Sequence, residues 1–267
     1  MPTVWNPDTY EQFADLRARP FHDLVDLLAP STEAPSVVDL GCGTGSLTAT
    51  LAERLHAASV LGVDNSPEML RDSGQRTSDL VRFELADIDE FERPAAFDIV
   101  VSNAALHWTD DHRTTLGHWT RSLRPGGQLA VQLPANYGHP SHTVAESVAH
   151  DPHFDDRWTT GGPPANRGDH VLDPGGYAQI LHDLGFVEQS VSLRVYPMLL
   201  ESGDRVLDWV RGTLLVPYRS ALSADDYAEF ERRYAARLDD EIGRSGVDRS
   251  PYFYGFERIL MWGRRAR

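Results

Sequence analysis

Apolar positions along this chain fall into two alternating rhythms. Compact apolar runs at Ser36–Leu40 and at residues 60–63, 81–85, 97–102 and 128–133 are bounded by polar or turn residues, as buried strands are. Between them the spacing lengthens. Residues 45–57 place Leu47, Leu51 and Leu55 every four positions, and residues 68–75 and 113–123 also have helical spacing. A further apolar helix spans residues 21–29 and ends at Pro30, with Ser31 and Pro35 beyond it as a linker. Strands alternating with helices predict an α/β, Rossmann-like doubly wound fold whose sheet is mostly parallel.

The rhythm breaks after Pro134. Residues 151–174 are dense in Gly, Pro, His and Asp, too long and polar for a simple connection, so they read as a functional loop or a cap. A helix over residues 177–184 and a strand over 187–196 then resume the pattern. Two helices follow, one at residues 205–215 with Val206, Val210 and Leu214 on one face, the other at 224–242 with Tyr227, Phe230, Tyr234 and Leu238. An aromatic, β-branched run at 252–262 supplies the seventh strand. The expected organisation is one domain over residues 1–267: an N-terminal helical segment at 1–30, a core of 31–134, 173–198 and 251–267, and a helical cap from insertions at 135–172 and 199–250.

Composition removes several classes of function. A net charge of −15 opposes a nucleic-acid footprint, which needs basic surface against phosphates. No apolar run reaches the roughly 18 to 20 residues of a membrane span, and residues 1–10 lack a secretory pattern, so no membrane partner and a cytoplasmic location are expected. The single cysteine, Cys42, excludes an internal disulfide and a cysteine-built metal site. All 25 basic residues are arginine. With no lysine, phosphate-loop nucleotide hydrolysis and Schiff-base chemistry are closed to the chain.

The sharpest local signal is Val37-Val38-Asp39-Leu40-Gly41-Cys42-Gly43-Thr44-Gly45, a strand running into G-x-G-x-G ahead of a helix. Dinucleotide sites use G-x-G-x-x-G to seat a pyrophosphate on the helix N-terminus. The present spacing, after an acidic residue, is instead that of enzymes holding the amino-acid end of S-adenosylmethionine. A glycine turn with no ligand is the plain alternative. Asp64 weakens that alternative, because it ends the second strand nineteen residues beyond Gly45, where a carboxylate can accept both ribose hydroxyls of an adenosine. After the third strand, Asp87 can take an adenine amino group and Ile88 can pack on the ring, although a cap and a core position are equally natural for them. Ser102-Asn103 ends the fourth strand at the carboxyl edge, where ligands of open sheets bind.

Asp39 to Gly45, Gly62-Val63-Asp64-Asn65-Ser66-Pro67-Glu68-Met69, Phe97-Asp98-Ile99-Val100 and Leu123-Arg124-Pro125-Gly126-Gly127 together resemble the class I S-adenosylmethionine-dependent methyltransferases. The resemblance implies that S-adenosylmethionine is the cofactor, with Asp39, Gly41, Cys42, Gly43, Asp64, Asn65, Asp87, Ile88 and Asn103 around it. Cys42 is then a small loop residue and not a nucleophile. Further stretches resemble the trans-aconitate 2-methyltransferases: Trp5-Asn6-Pro7, Tyr10, Phe13, Arg19-Pro20, Asn103 to Trp108, Gln132-Leu133-Pro134, Asn136-Tyr137, Leu207 to Val210 and Phe256 to Ile259. The chain departs from that family at Val216-Pro217, where an arginine is expected before the proline, and at Ala135, where an acidic residue is expected.

That resemblance implies a monomethyl ester formed on a small di- or tricarboxylic acid. A carboxylate is ionised at neutral pH and requires no general base, so His107 and Trp108 are positioning candidates only. Tyr10, Asn136, Tyr137, Arg19 and Arg258 are acceptor-binding candidates by resemblance, and Arg219 joins them as an arginine of the second cap insertion. Another small metabolite or a carrier-bound carboxylate remains an alternative acceptor. An acceptor carrying a proton would instead give His107 work as a base. A non-catalytic S-adenosylmethionine-binding regulator would keep the glycines and Asp64 but lack an acceptor pocket.

Overall fold

The computed structural model describes residues 18–30, 33–244 and 250–267, so Tyr10 and the stretch from Trp5 to Phe13 lie outside the described residues. Elements in chain order are α1 (residues 18–25), β1 (Ser36–Leu40), α2 (Ser46–Arg54), β2 (Ser59–Asp64), β3 (Val81–Leu85), β4 (Phe97–Asn103), α3 (His112–Arg121) and β5 (Leu123–Pro134). There follow α4 (Pro140–Ala149), α5 (Pro174–Asp183), β6 (Phe186–Leu200), α6 (Arg205–Arg211), α7 (Val216–Ala221), α8 (Ala224–Arg244) and β7 (Tyr252–Arg265). The chain forms two compact units, one of Met1–Ala135, His170–Arg194 and Arg258–Arg267, the other of Asn136–Asp169 and Val195–Glu257.

The seven strands hydrogen-bond in the order β3-β2-β1-β4-β5-β7-β6. The pairs β1–β2, β2–β3, β1–β4 and β4–β5 are parallel, whereas β7 runs antiparallel to β5. This is the mostly parallel, doubly wound sheet that the sequence predicts. Strand order reverses between β1 and β4, which opens a crevice at their carboxyl ends.

Both faces of the sheet are covered in the first unit, and this explains why its strands read as continuous apolar runs. Successive residues point to opposite sides. Val38, Leu40, Val63, Val100, Leu129 and Val131 pack with Leu116 and Trp119 of α3 and with Tyr177, Ile180 and Leu181 of α5. Val37, Val60, Ile99, Val101, Ala130 and Leu260 pack on the other side with Phe21, Leu24 and Val25 of α1 and Leu51 of α2. At the amino edge, Asp98 accepts from Ser36 N at 2.8 Å and from Arg124 Nη1 at 2.7 Å, which joins the starts of three neighbouring strands.

Several elements differ from the sequence expectation, each for a local reason. Residues 69–76 form a 3₁₀ helix in place of an α-helix, with Gly74 inside the stretch. The helix expected at 205–215 stops at Arg211, where Gly212 ends α6, and a short helix not expected from the sequence, α7, follows with Pro217 in its first turn. Helix α4 is not expected from the sequence. Its cap is His139, whose Nδ1 accepts from Ser141 N at 3.1 Å, an unusual residue for that task, and Pro140 opens the helix. In the second unit, Phe154, Trp158 and Tyr218 pack against Phe230 of α8, the Tyr218 ring stacking on it at 4.9 Å. Among the described residues no helix is long and apolar enough to cross a membrane.

The loop after β3 is held from below by one buried bond, from the indole Nε1 of Trp119 to the carbonyl of Ile88 at 2.7 Å. Trp119→Phe keeps most of the ring but leaves that carbonyl only the long 3.4 Å bond from Phe91 N, so it should lower unfolding free energy by about 0.5 to 1.5 kcal/mol. Urea denaturation checks this, the midpoint falling while the slope stays unchanged.

Candidate active site

The turn joining β1 to α2 is fixed by its backbone. Gly41, Gly43 and Gly45 have φ of +77°, +56° and +77°, a region that side chains strain to enter. Two of the three are also required by packing. A Cβ on Gly41 would lie 2.1 Å from Ala105 Cβ, and one on Gly45 would lie 2.4 Å from the Phe83 ring. Gly43 is different, since a Cβ there meets nothing within 4 Å and the turn is open above it. The amides of Gly41 and Cys42 both donate to Val63 O, at 2.8 and 3.0 Å, which binds the turn to the end of β2. The N-cap of α2 is Gly45, which has no side chain to cap the helix, so among the described residues its first N–H groups have no side-chain acceptor.

Carboxylates surround this turn. Asp64 Oδ2 accepts from Gly43 N at 2.8 Å and its Oδ1 from Ser66 N at 2.9 Å, leaving further lone pairs on both oxygens. Asn65 beside it is exposed. Asp39 is buried under the turn, where its Oδ2 accepts from Thr48 Oγ1 at 2.7 Å. Burial raises its pKa to about 6, against the Thr48 bond, and the Asp64 charge adds to the rise. Burial and the same two carboxylates push the Cys42 thiol far above its ordinary range, so it stays protonated.

The other expected residues of the first unit gather along the carboxyl edge. Ile88 is buried with its Cδ1 3.8 Å from where a Gly41 Cβ would stand, and Asp87 is exposed with Oδ1 accepting from Asp89 N at 3.0 Å. Asn103 ends β4, and its Oδ1 is buried without a hydrogen-bond partner among the described residues. Beyond it a 3₁₀ turn, Leu106–Trp108, holds His107 buried against the Trp108 ring at 4.9 Å, while Trp108 itself is 53% exposed. Arg258 lies on β7 opposite Pro134, the last residue of β5, and therefore at the same edge. Arg19 is exposed on α1.

Three expected residues belong to the second unit. Asn136 is buried and donates from Nδ2 to Tyr254 Oη at 2.8 Å. Tyr137 packs edge-on against His142 at 5.2 Å. Arg219 is exposed on α7, and among the described residues its side chain makes no ion pair or hydrogen bond.

Residues outside the expected cofactor and acceptor sets also shape the site, among them Gln132 of the Gln132-Leu133-Pro134 stretch. Thr48 holds Asp39, Phe83 fits beneath Gly45 and Gly62, and Gln132 is a buried polar residue of β5. Gln132 has a visible signal in sequence, as a polar interruption of the apolar run Leu129 to Leu133.

Among the described residues, open glycine above the turn, a helix start without a side-chain cap, a carboxylate at the end of β2 and an unpaired polar atom at the end of β4 are features that the donor site of a class I methyltransferase requires. Residues 37–127 match the family model described as a methyltransferase domain. The chain is 41% identical over 257 residues to the trans-aconitate 2-methyltransferase of Deinococcus radiodurans, covering 96% of each chain. It is 38% identical to the enzyme of that name from Rhodococcus jostii, covering 97% of this chain and 98% of the other. The solved structure of the YcgJ protein of Bacillus subtilis shares the fold, with a TM-score of 0.63 at 13% identity over 93% of this chain and 99% of that one. The chain belongs to the trans-aconitate 2-methyltransferase family and is an S-adenosylmethionine-dependent methyltransferase.

The buried Asp39 gives the site a pH signature. Its folded pKa of about 6 lies above the ordinary 3.8, so between those values the native state binds more protons than the unfolded one. Stability from this group therefore falls as pH rises from about 4 to 6, by an amount on the order of 3 kcal/mol. Asp39→Asn keeps an acceptor for Thr48 and should flatten that slope, gaining stability near pH 7; thermal unfolding across the window measures it.

Proposed function

We propose that the protein methylates one carboxylate of trans-aconitate to give a monomethyl ester. Its full-length relationship to enzymes of that name supports this reading most directly. The donor site described above accommodates the cofactor by its own chemistry. The open face over Gly43 and the free N–H groups of α2 suit an amino-acid carboxylate, and the buried Oδ1 of Asn103 suits a donor such as its ammonium. Asp64, with Asn65 beside it, takes the ribose hydroxyls, and Asp87 with Ile88 takes the adenine. Asp39 braces the turn from beneath through Thr48.

When bound, S-adenosylmethionine supplies a methyl group on a sulfonium, so that the carboxylate oxygen forms the new O–C bond while the C–S pair returns to sulfur and no proton moves. The residues of the chain need only hold the acceptor in line, an effect that reaches about 7 to 11 kcal/mol in favourable systems. Opposite charges cancel along this path. A cation gripping the attacking carboxylate would stabilise the ground state more than the transition state, so arginine belongs on the carboxylates that do not react. Arg258, at the carboxyl edge beside β5, takes that part in the first unit. Arg19, Arg219, Tyr10, Asn136 and Tyr137 are further acceptor-recognition candidates. His107 and Trp108 shape the floor after β4 and carry no proton in this scheme.

Incubation with labelled S-adenosylmethionine and a panel of small carboxylic acids, alcohols and amines tests the reading. Label in a trans-aconitate monomethyl ester is expected, and label only in an alcohol or amine would overturn the substrate class. Asp64→Ala should weaken S-adenosylmethionine and its demethylated product alike by about 1.5 to 3 kcal/mol in calorimetry, the usual loss of bonds to a charged group. Arg258→Met should leave that affinity near normal while kcat/KM for trans-aconitate falls by about 2 to 5 kcal/mol in equivalent terms. An Arg258→Met enzyme as efficient as the parent would remove Arg258 from the acceptor site.

A further inference from the structure

Strand β5 carries two buried glutamines four residues apart, and they differ sharply. Gln128 is bonded at both amide atoms: its Oε1 accepts from Ala29 N at 2.8 Å and from Trp262 Nε1 at 2.9 Å, and its Nε2 donates to Ala29 O at 3.0 Å. Gln132 is only 1% exposed, yet its Nε2 has no hydrogen-bond partner among the described residues. A buried donor left unpaired opposes folding, and a hydrophobic residue of equal size would remove the penalty. An orphan of this kind calls for a ligand.

Its location indicates which ligand. Gln132 is the register partner of Asn103 on β4 and of Leu260 on β7, and Arg258 is two residues from Leu260 toward the carboxyl edge. By strand alternation Asn103, Gln132 and Arg258 share one face of the sheet, the face where Val101, Ala130 and Leu260 meet α1. Among the described residues, three neighbouring strands thus present in sequence an acceptor lacking a donor, a donor lacking an acceptor, and a cation. The orphaned carbonyl of Asn103 suits the ammonium end of the cofactor, and the orphaned N–H of Gln132 suits an anionic oxygen next to it.

We infer that the Gln132 amide is the neutral donor that holds the reacting carboxylate of the acceptor, while Arg258 holds a carboxylate that does not react. This rests on the substrate reading given above. A neutral donor fits the reaction better than an arginine there. It binds the oxygen that does not attack, and that oxygen remains an acceptor when it becomes the ester carbonyl, so the bond survives the whole path. A guanidinium at the same place would lose most of its attraction as the negative charge disappears.

Gln132→Met tests this, with Gln128→Met as the comparison, since Met replaces the amide by an apolar chain of similar length. Gln132→Met should melt at the parent temperature or above, bind S-adenosylhomocysteine within twofold of the parent, and lose tenfold or more in kcat/KM for trans-aconitate, with the acceptor KM raised. Gln128→Met should do the reverse, melting lower while the folded enzyme keeps its kcat/KM. A Gln132→Met enzyme within twofold of the parent on trans-aconitate overturns the inference. So does a fall in melting temperature like that of Gln128→Met, which would make the amide structural, or an equal loss of S-adenosylhomocysteine affinity, which would turn it toward the cofactor. A parent inactive on trans-aconitate refutes the substrate reading and this inference together, whereas an active parent with an unaffected variant refutes this inference alone.

Discussion

Two backbones meet where β1 ends. The turn at Gly41 approaches Ala105 so closely that no Cβ fits between them, and the amides of Gly41 and Cys42 are both spent on Val63 O. From that contact the rest of the site follows. It places the start of α2 at the switch point of the sheet, turns Gly43 toward open space, and brings Asp64 within bonding distance of the Gly43 amide. Ser102 adds a second tie by donating from Oγ to Leu40 O at 2.8 Å, so the ends of β1 and β4 are held on both sides of the turn. Glycine takes the three left-handed positions without the strain that a Cβ would bring, so the turn is held by sheet bonds and packing at no steric cost.

The two edges of the sheet are used differently. At the amino edge Asp98 gathers Ser36 and Arg124, and charges there are consumed by structure. At the carboxyl edge buried polar atoms of Asn103 and Gln132 have no partner among the described residues. Buried polar atoms without partners are uncommon in folded proteins because each one costs free energy. Their concentration at the switch point is what a ligand site requires, and it separates the two glutamines of β5 into one for the fold and one for chemistry.

An acidic protein that handles a polyanion must make its positive charge local. Much of its arginine is already committed to carboxylates, as with Arg233 and Arg237 on Asp151 or Arg211 on Glu231. These partly buried surface pairs remove cations from general attraction to anions, whatever each adds to stability. A carboxylate acceptor is then recognised by the few cations positioned for it and not by the field of the whole surface. Arginine suits that task, since its planar fork can take a carboxylate through two parallel bonds.

Sequence alone determined the order of strands and helices in the core, because hydrophobic period follows from which faces are buried, and both faces of this sheet are covered. It also determined the glycine turn and the ends of β2 and β4, since glycine at a left-handed position and a carboxylate after a strand are local requirements. Helix α4 and the break between α6 and α7 escaped it. There the deciding features are a histidine cap and a proline placed by packing, which no period reveals. Tertiary structure alone decided what each polar residue does. Gln128 and Gln132 look alike in a list of residues, and Asp39 and Asp64 look alike at the ends of strands. One of each pair is satisfied by or sealed beneath its neighbours and the other is left facing the site. Hydrogen-bond satisfaction depends on atoms brought together from distant parts of the chain, and that is information only the folded molecule contains.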